Sequence, residues 1–201
     1  LVSMGQASVA SFLLTRIIVP FGTTAIAAHG LASNIQAFIM TPGFGLGSGV
    51  GVLVGQNLGA GQPGRAVKTT WLATAILQAF YIACAAAVLI WAENIVVLFN
   101  NDPALVSTGA AFLRIAAVSY LVISFNTAMA SGITGAGDTL PCMIINIGMI
   151  WVVQLPLAYF FSNFTGLDVF GVRWGMVVSV AVSAVGFLAY FQSGKWKKKA
   201  V

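Results

Sequence analysis

The chain has 201 residues, 59% of them hydrophobic and 6% charged, with nine Lys and Arg against four Asp and Glu and a formal net charge of +5. A water-soluble domain carries roughly a quarter charged residues to wet its surface. With a mean hydropathy of +0.98, a soluble fold is therefore excluded, and lipid must be the solvent against most of this one.

Charge spacing divides the chain. Gaps of 48 residues separate Arg16 from Arg65, 24 Lys68 from Glu93, 23 Arg114 from Asp138, 29 Asp138 from Asp168 and 21 Arg173 from Lys195. About 20 apolar residues cross a bilayer core of about 30 Å. Four of these gaps each hold one crossing. The first, broken at Pro20-Phe21-Gly22, holds more, so the chain is expected to form an all-α membrane protein with about six spanning helices.

The first helix is expected over residues 2–19, with Arg16 snorkelling from its last turn. Leu1 is not a Met and no basic flank precedes this stretch, so the start lacks a signal-peptide layout and reads as a chain cut from something longer. The second helix is expected over 24–55, with Pro42 inside it. Gly43, Gly47, Gly51 and Gly55 follow at four-residue spacing and leave one face bare, so that a neighbouring backbone approaches closely. The alternative is a bend or unwinding there. Either outcome puts a pliable element in mid-membrane.

Gly59-Ala60-Gly61-Gln62-Pro63-Gly64-Arg65 breaks the chain before a third helix over 66–91. This loop lacks the Lys and Ser/Thr of a nucleotide cradle. Asn100-Asn101-Asp102-Pro103 begins a turn into a fourth helix over 104–133, with Pro103 suited to its first position. After Gly135-Ala136-Gly137-Asp138-Thr139, with Asp138 expected as a cap, a fifth helix covers 140–161. Ser162 to Gly171 is the last loop, and a sixth helix covers 171–192.

Six crossings put both ends of the segment on one side. Arg65, Lys68 and four tail Lys share that side, against Arg16, Arg114 and Arg173 on the other. The positive-inside rule then makes both termini cytoplasmic in a multi-pass protein of the plasma (inner) membrane. The tail Lys195-Trp196-Lys197-Lys198-Lys199 reads as a membrane-surface anchor and not as a nucleic-acid patch.

Polar side chains recur at helical spacing. His29, Ser33, Gln36 and Met40 form a stripe on the second helix. Thr70, Thr74, Gln78 and Tyr81 form one on the third, and Tyr120, Ser124, Thr127 and Ser131 one on the fourth, with Asn126 beside it. Such seams either line a wet cavity or bond to backbone and neighbouring helices. Glu93, Asp102, Asp138 and Asp168 all fall near helix ends or in loops. With one His, no metal cluster and no nucleophile–base pair, enzymatic chemistry is not indicated. Cys84 and Cys142 read as isolated thiols in apolar runs.

Ala27-Ala28-His29, Val54-Gly55-Gln56-Asn57-Leu58-Gly59-Ala60-Gly61 and Gly135-Ala136-Gly137-Asp138-Thr139 together resemble the multidrug and toxic compound extrusion (MATE) transporters. Pro141, Trp151 with Pro156-Leu157-Ala158, and Gly194-Lys195-Trp196-Lys197 extend the likeness along nearly the whole chain. The resemblance implies the second six-helix lobe of a twelve-helix protein, with the N-terminal lobe as its partner. It further implies a cation-coupled antiporter, driven by H⁺ or Na⁺ and needing no other cofactor, that exports small organic, often cationic compounds by alternating access. Many members carry an acid where Gln6 stands, some an Asp near Ile123, and often an Arg where Thr134 stands. Under that likeness the coupling acid belongs to the other lobe. The cavity lining would come from Gln6, Asn34, Gln36, Tyr120, Asn126, Asn146 and Gln154, with Met40 and Met129 as adaptable apolar contacts. Pro42, Gly43, Gly47, Gly51 and Gly55 would give helix flexibility.

Two other functions compete. A flippase for lipid-linked sugars would need cations in the cavity to meet pyrophosphate, and the sequence places none in mid-span. A non-transporting membrane binding subunit would need no cavity, and its polar seams would be helix contacts only.

Overall fold

A computed structural model describes residues 2–198, and every regular element among them is helical. α1, Val2–Ile18, passes into a short 3₁₀ turn, Val19–Phe21, where Pro20 has no N–H to continue an α-helix. Gly22 then adopts φ +94°, a left-handed conformation open to glycine, and the chain reverses into α2, Thr23–Gly59. α3 is Pro63–Val97 and α4 is Pro103–Gly135, each opening on a proline whose missing N–H costs nothing in a first turn. Asp102 caps α4 by accepting a hydrogen bond from the Ala104 N–H at 3.1 Å.

The next crossing has three parts: α5, Thr139–Gly148, a π-helical segment, Met149–Gln154, and α6, Leu155–Phe164. Pro156 explains the interruption, because it cannot donate to the carbonyl four residues earlier and its ring crowds that carbonyl. α7, Asp168–Gln192, completes the bundle, and a 3₁₀ turn, Lys195–Lys198, follows it.

Five of these crossings are long and apolar enough to span a membrane: α2, α3, α4, the α5–α6 pair and α7. Ser8–Phe21 is a shorter apolar stretch. Phe38, Leu72, Ile90, Val152 and Val185 all face outward, an apolar surface suited to lipid and not to water. Two buried clusters mark the ends of the bundle. One joins the end of α1 and the starts of α2, α4 and α7 to the last turns of α3 through Ile18, Ala28, Val96, Phe112 and Val172. The other joins the opposite ends through Val54, Ala66, Ile133, Phe187 and Trp196.

The boundaries differ from expectation where local chemistry was underread. α2 continues to Gly59 and α3 begins at Pro63, so the glycine-rich turn is only a few residues long. Trp91, the expected end of the third helix, is a kink at φ −110° and ψ 20°, beyond which the helix runs on to Val97. Asp138 occupies the position before α5 but its side chain makes no cap bond. Instead its buried carboxylate accepts a hydrogen bond from the Tyr190 hydroxyl of α7.

Candidate functional site

The bare face of α2 sets how the lobe closes. The helix continues unbroken through Pro42, and its glycines are where other helices approach. A Cβ on Gly47 would stand 2.7 Å from Ser131 Oγ, and one on Gly55 would stand 3.0 Å from the Gly135 carbonyl oxygen. A Cβ on Gly43 would collide with the Tyr81 hydroxyl. Small residues thus bring α2 against α4 at backbone distance and make room for the Tyr81 side chain of α3. A second pair escaped the sequence reading: Gly171 and Gly175 of α7 abut the backbone of Phe161 and Ala158 in α6. Their four-residue spacing was the available signal.

The polar seams of α3 and α4 turn toward one another, while that of α2 meets Arg173 of α7. Thr70 donates to the Ala66 carbonyl, Thr74 to that of Thr70 and Thr127 to that of Ile123, the bonds a hydroxyl makes one turn back in its own helix. Ser124 donates to Gln78 Oε1 across α4 and α3. Asn126 Nδ2 donates to the Val180 carbonyl of α7 at 3.1 Å. Three of these five bonds stay within one helix, and two, from Ser124 and Asn126, tie neighbouring helices together.

The sequence-selected residues are spread through the lobe. Tyr120 and Met129 lie fully inside it, and Met40 packs against the first core cluster. Asn34 and Asn146 are exposed on α2 and α5, while Gln6 is half-buried on α1. Gln36 and Gln154 are the two that meet. With Ser119, Ser179 and Arg173 they line a cavity of about 60 Å³ between α2, α4, the π-helical segment and α7. That is far below the roughly 300–1,000 Å³ of an organic-ligand pocket.

Arg173 is the residue most misplaced by sequence. Counted as a cation at the outer end of the last helix, it is 2% exposed and folded into the bundle. Its Nη2 donates to the His29 carbonyl at 2.9 Å and to Ser33 Oγ at 3.4 Å, and its guanidinium stacks 4.9 Å from the Phe112 ring centre. It is enclosed by the lobe's own helices and presents no charge to an open cleft.

A larger space lies between α2 and α4 toward the other end. This open groove of about 440 Å³ is lined by Phe44, Gly47, Ser48, Gly51, Thr127 and Ser131, among others. It exists because glycines stand where side chains would otherwise fill the helix junction. Phe44 is 71% exposed at its rim, so the groove offers an aromatic face beside hydroxyls and carries no charged side chain. Among the described residues no group of three His, Cys, Asp or Glu could hold a metal ion, and Cys84 and Cys142 are free thiols.

Relatives share both sequence and architecture. The chain is 25% identical over 192 residues to the probable multidrug resistance protein NorM of Thermotoga maritima, covering 94% of this chain and 41% of that protein. It is 32% identical over 171 residues to the multidrug resistance protein NorM of Burkholderia vietnamiensis, covering 82% of this chain and 37% of that one. Thus the chain spans about two-fifths of the length of these curated relatives. A crystal structure of MATE in the straight conformation matches 98% of this chain and 45% of its own at TM-score 0.91 and 23% identity. An inward-facing MATE family transporter matches 96% and 46% at TM-score 0.85 and 23% identity. The MatE family model itself matches residues 1–160, and this multi-pass, all-α membrane chain belongs to the MatE family.

Proposed function

We propose that the chain is the C-terminal six-helix lobe of a cation-coupled antiporter that exports organic, often cationic compounds by alternating access. The carrying observation is that nearly the whole chain folds as somewhat under half of MATE transporters, a family whose relatives are named for multidrug resistance. The N-terminal six-helix lobe supplies the rest of the path, and the termini of this segment face the cytoplasm of the plasma (inner) membrane. H⁺ or Na⁺ is the coupling ion. Its acid belongs to that other lobe, because the four carboxylates here stand near helix ends, with Glu93 paired to Arg114, Asp102 capping α4 and Asp138 bonded to Tyr190.

The α2–α4 groove is this lobe's contribution to substrate contact. An exposed aromatic ring attracts an organic cation through its negative face, and neutral hydroxyls hydrogen-bond without fixing one shape. Alternating access needs a wall that shifts without unfolding, and α2 supplies one: Pro42 removes a backbone bond just before the glycine face. Arg173 does not favour a pyrophosphate flippase, since its charge is turned inward.

The test is ethidium accumulation in an efflux-deficient host expressing the whole protein. Energised cells are expected to hold less dye than cells with an empty vector, and the difference is expected to vanish on collapse of the ion gradient. Equal accumulation across a panel of cationic dyes would overturn the drug-export reading. The lobe alone is expected to be inactive, because one half encloses no path.

A further inference from the structure

Arg173 poses an unresolved charge balance inside the lobe. A buried guanidinium is costly unless an anion or a full set of acceptors meets it. Two acceptors serve Nη2, the His29 carbonyl and Ser33 Oγ, and the Phe112 ring covers the group. Both acceptors are neutral. Nε, also buried, has no hydrogen-bond partner. The one ion pair among the described residues is Arg114 with Glu93, elsewhere in the bundle.

The cavity described above lies against this side chain. Arg173 lines it with Gln36, Gln154, Ser119 and Ser179, from four different segments, and no carboxylate lines it. Two primary amides supply N–H donors that supplement the free Nε–H. A cation would be repelled by the guanidinium, and an acid from a neighbouring lobe would not reach a side chain that is 2% exposed. An organic molecule is too large for about 60 Å³. A water occupies roughly 30 Å³, so a small anion of similar size with one water fits.

We propose that the cavity beside Arg173 binds one small monovalent anion of the chloride class, which neutralises the buried guanidinium and ties α2, α4, the π-helical segment and α7 together. The site is distinct from the α2–α4 groove, and its occupancy does not depend on what the protein exports. Ser119 and Ser179 donate to their own helices at Ala116 and Met176, so they shape the cavity while the amides and Nε–H face the ion.

The experiment uses the whole protein purified in gluconate buffer, with bromide or chloride replacing gluconate at constant ionic strength. A saturable rise in Tm of about 3 °C is expected for the unmodified protein, and none for Arg173→Gln. Ser179→Val, which fills the cavity and keeps the charge, is expected to lose the rise as well. Crystals grown in bromide are expected to show an anomalous peak within hydrogen-bond reach of Arg173 Nε, a measurement that needs no variant to fold. Coincident bromide and gluconate melting curves, an equal rise in Arg173→Gln, or anomalous density only at sites away from this cavity would each overturn the proposal.

Discussion

Gly51 of α2 and Gly135 of α4 meet without room for a side chain: a Cβ on Gly135 would collide with the Gly51 carbonyl oxygen. Two helices at that separation gain dispersion along their backbones, and in lipid this packing drives association where the hydrophobic effect does not. The same contact leaves the neighbouring groove between Phe44 and Ser131 unfilled. One pair of glycines therefore sets both the stability of the lobe and the shape of its candidate substrate surface.

Gly135→Ala is accordingly expected to force α2 and α4 apart at a cost of about 1–3 kcal/mol, seen as a lower Tm in detergent. Gly49→Ala is the control, because a Cβ there meets nothing within 4 Å. It is expected to be neutral or to stabilise by about 0.5–1 kcal/mol, the usual gain of Ala over Gly in a helix. Equal losses in both variants would show that glycine conformational freedom, and not close approach, matters on this helix.

The spacing of Gly43, Gly47, Gly51 and Gly55 was legible because four-residue repeats map directly onto a helix face. The crossings were legible for a similar reason, since gaps between charges measure bilayer thickness. Arg173 was not. Near the start of the expected sixth helix, it reads as a cation at the outer edge of the membrane, and only the packing of α2 and α4 over α7 shows that it is enclosed. The stripes at Thr70–Tyr81 and Tyr120–Ser131 were visible, but whether a stripe meets water or another helix depends on how its neighbours are rotated. Pro156 entered only through the family likeness, and the fifth helix was expected to be continuous, so the π-helical segment that carries Gln154 to the cavity with Gln36 was missed.

The Tyr190–Asp138 hydrogen bond locks the end of α7 to the turn before α5. Its acceptor is a carboxylate, so Tyr190→Phe is expected to cost about 1.5–3 kcal/mol. A double-mutant cycle with Asp138→Asn, read by thermal melting, is expected to show strong coupling, with the second substitution adding little to the first. Additive losses would mean that the two side chains act separately.

Phe44 is the aromatic group best placed to meet a cationic substrate in the groove. Phe44→Ala is expected to remove a cation–π contact of about 0.5–2 kcal/mol and so raise the KM for ethidium transport by roughly 2- to 30-fold. Phe38→Ala removes an equally exposed ring outside the groove and is expected to leave KM unchanged. Identical kinetics in the two variants would take Phe44 out of substrate contact.

Whether the groove is wetted is answered most directly by cysteine labelling of the whole protein in its membrane. Ser48 in the groove and Val185 on the outer face of α7 are both exposed on the lobe, but only the first is expected to meet water. Ser48→Cys should react with a membrane-impermeant maleimide, faster as the protein cycles under an ion gradient, while Val185→Cys stays shielded by lipid. Equal protection of both positions, with and without the gradient, would contradict a groove that opens to an aqueous path.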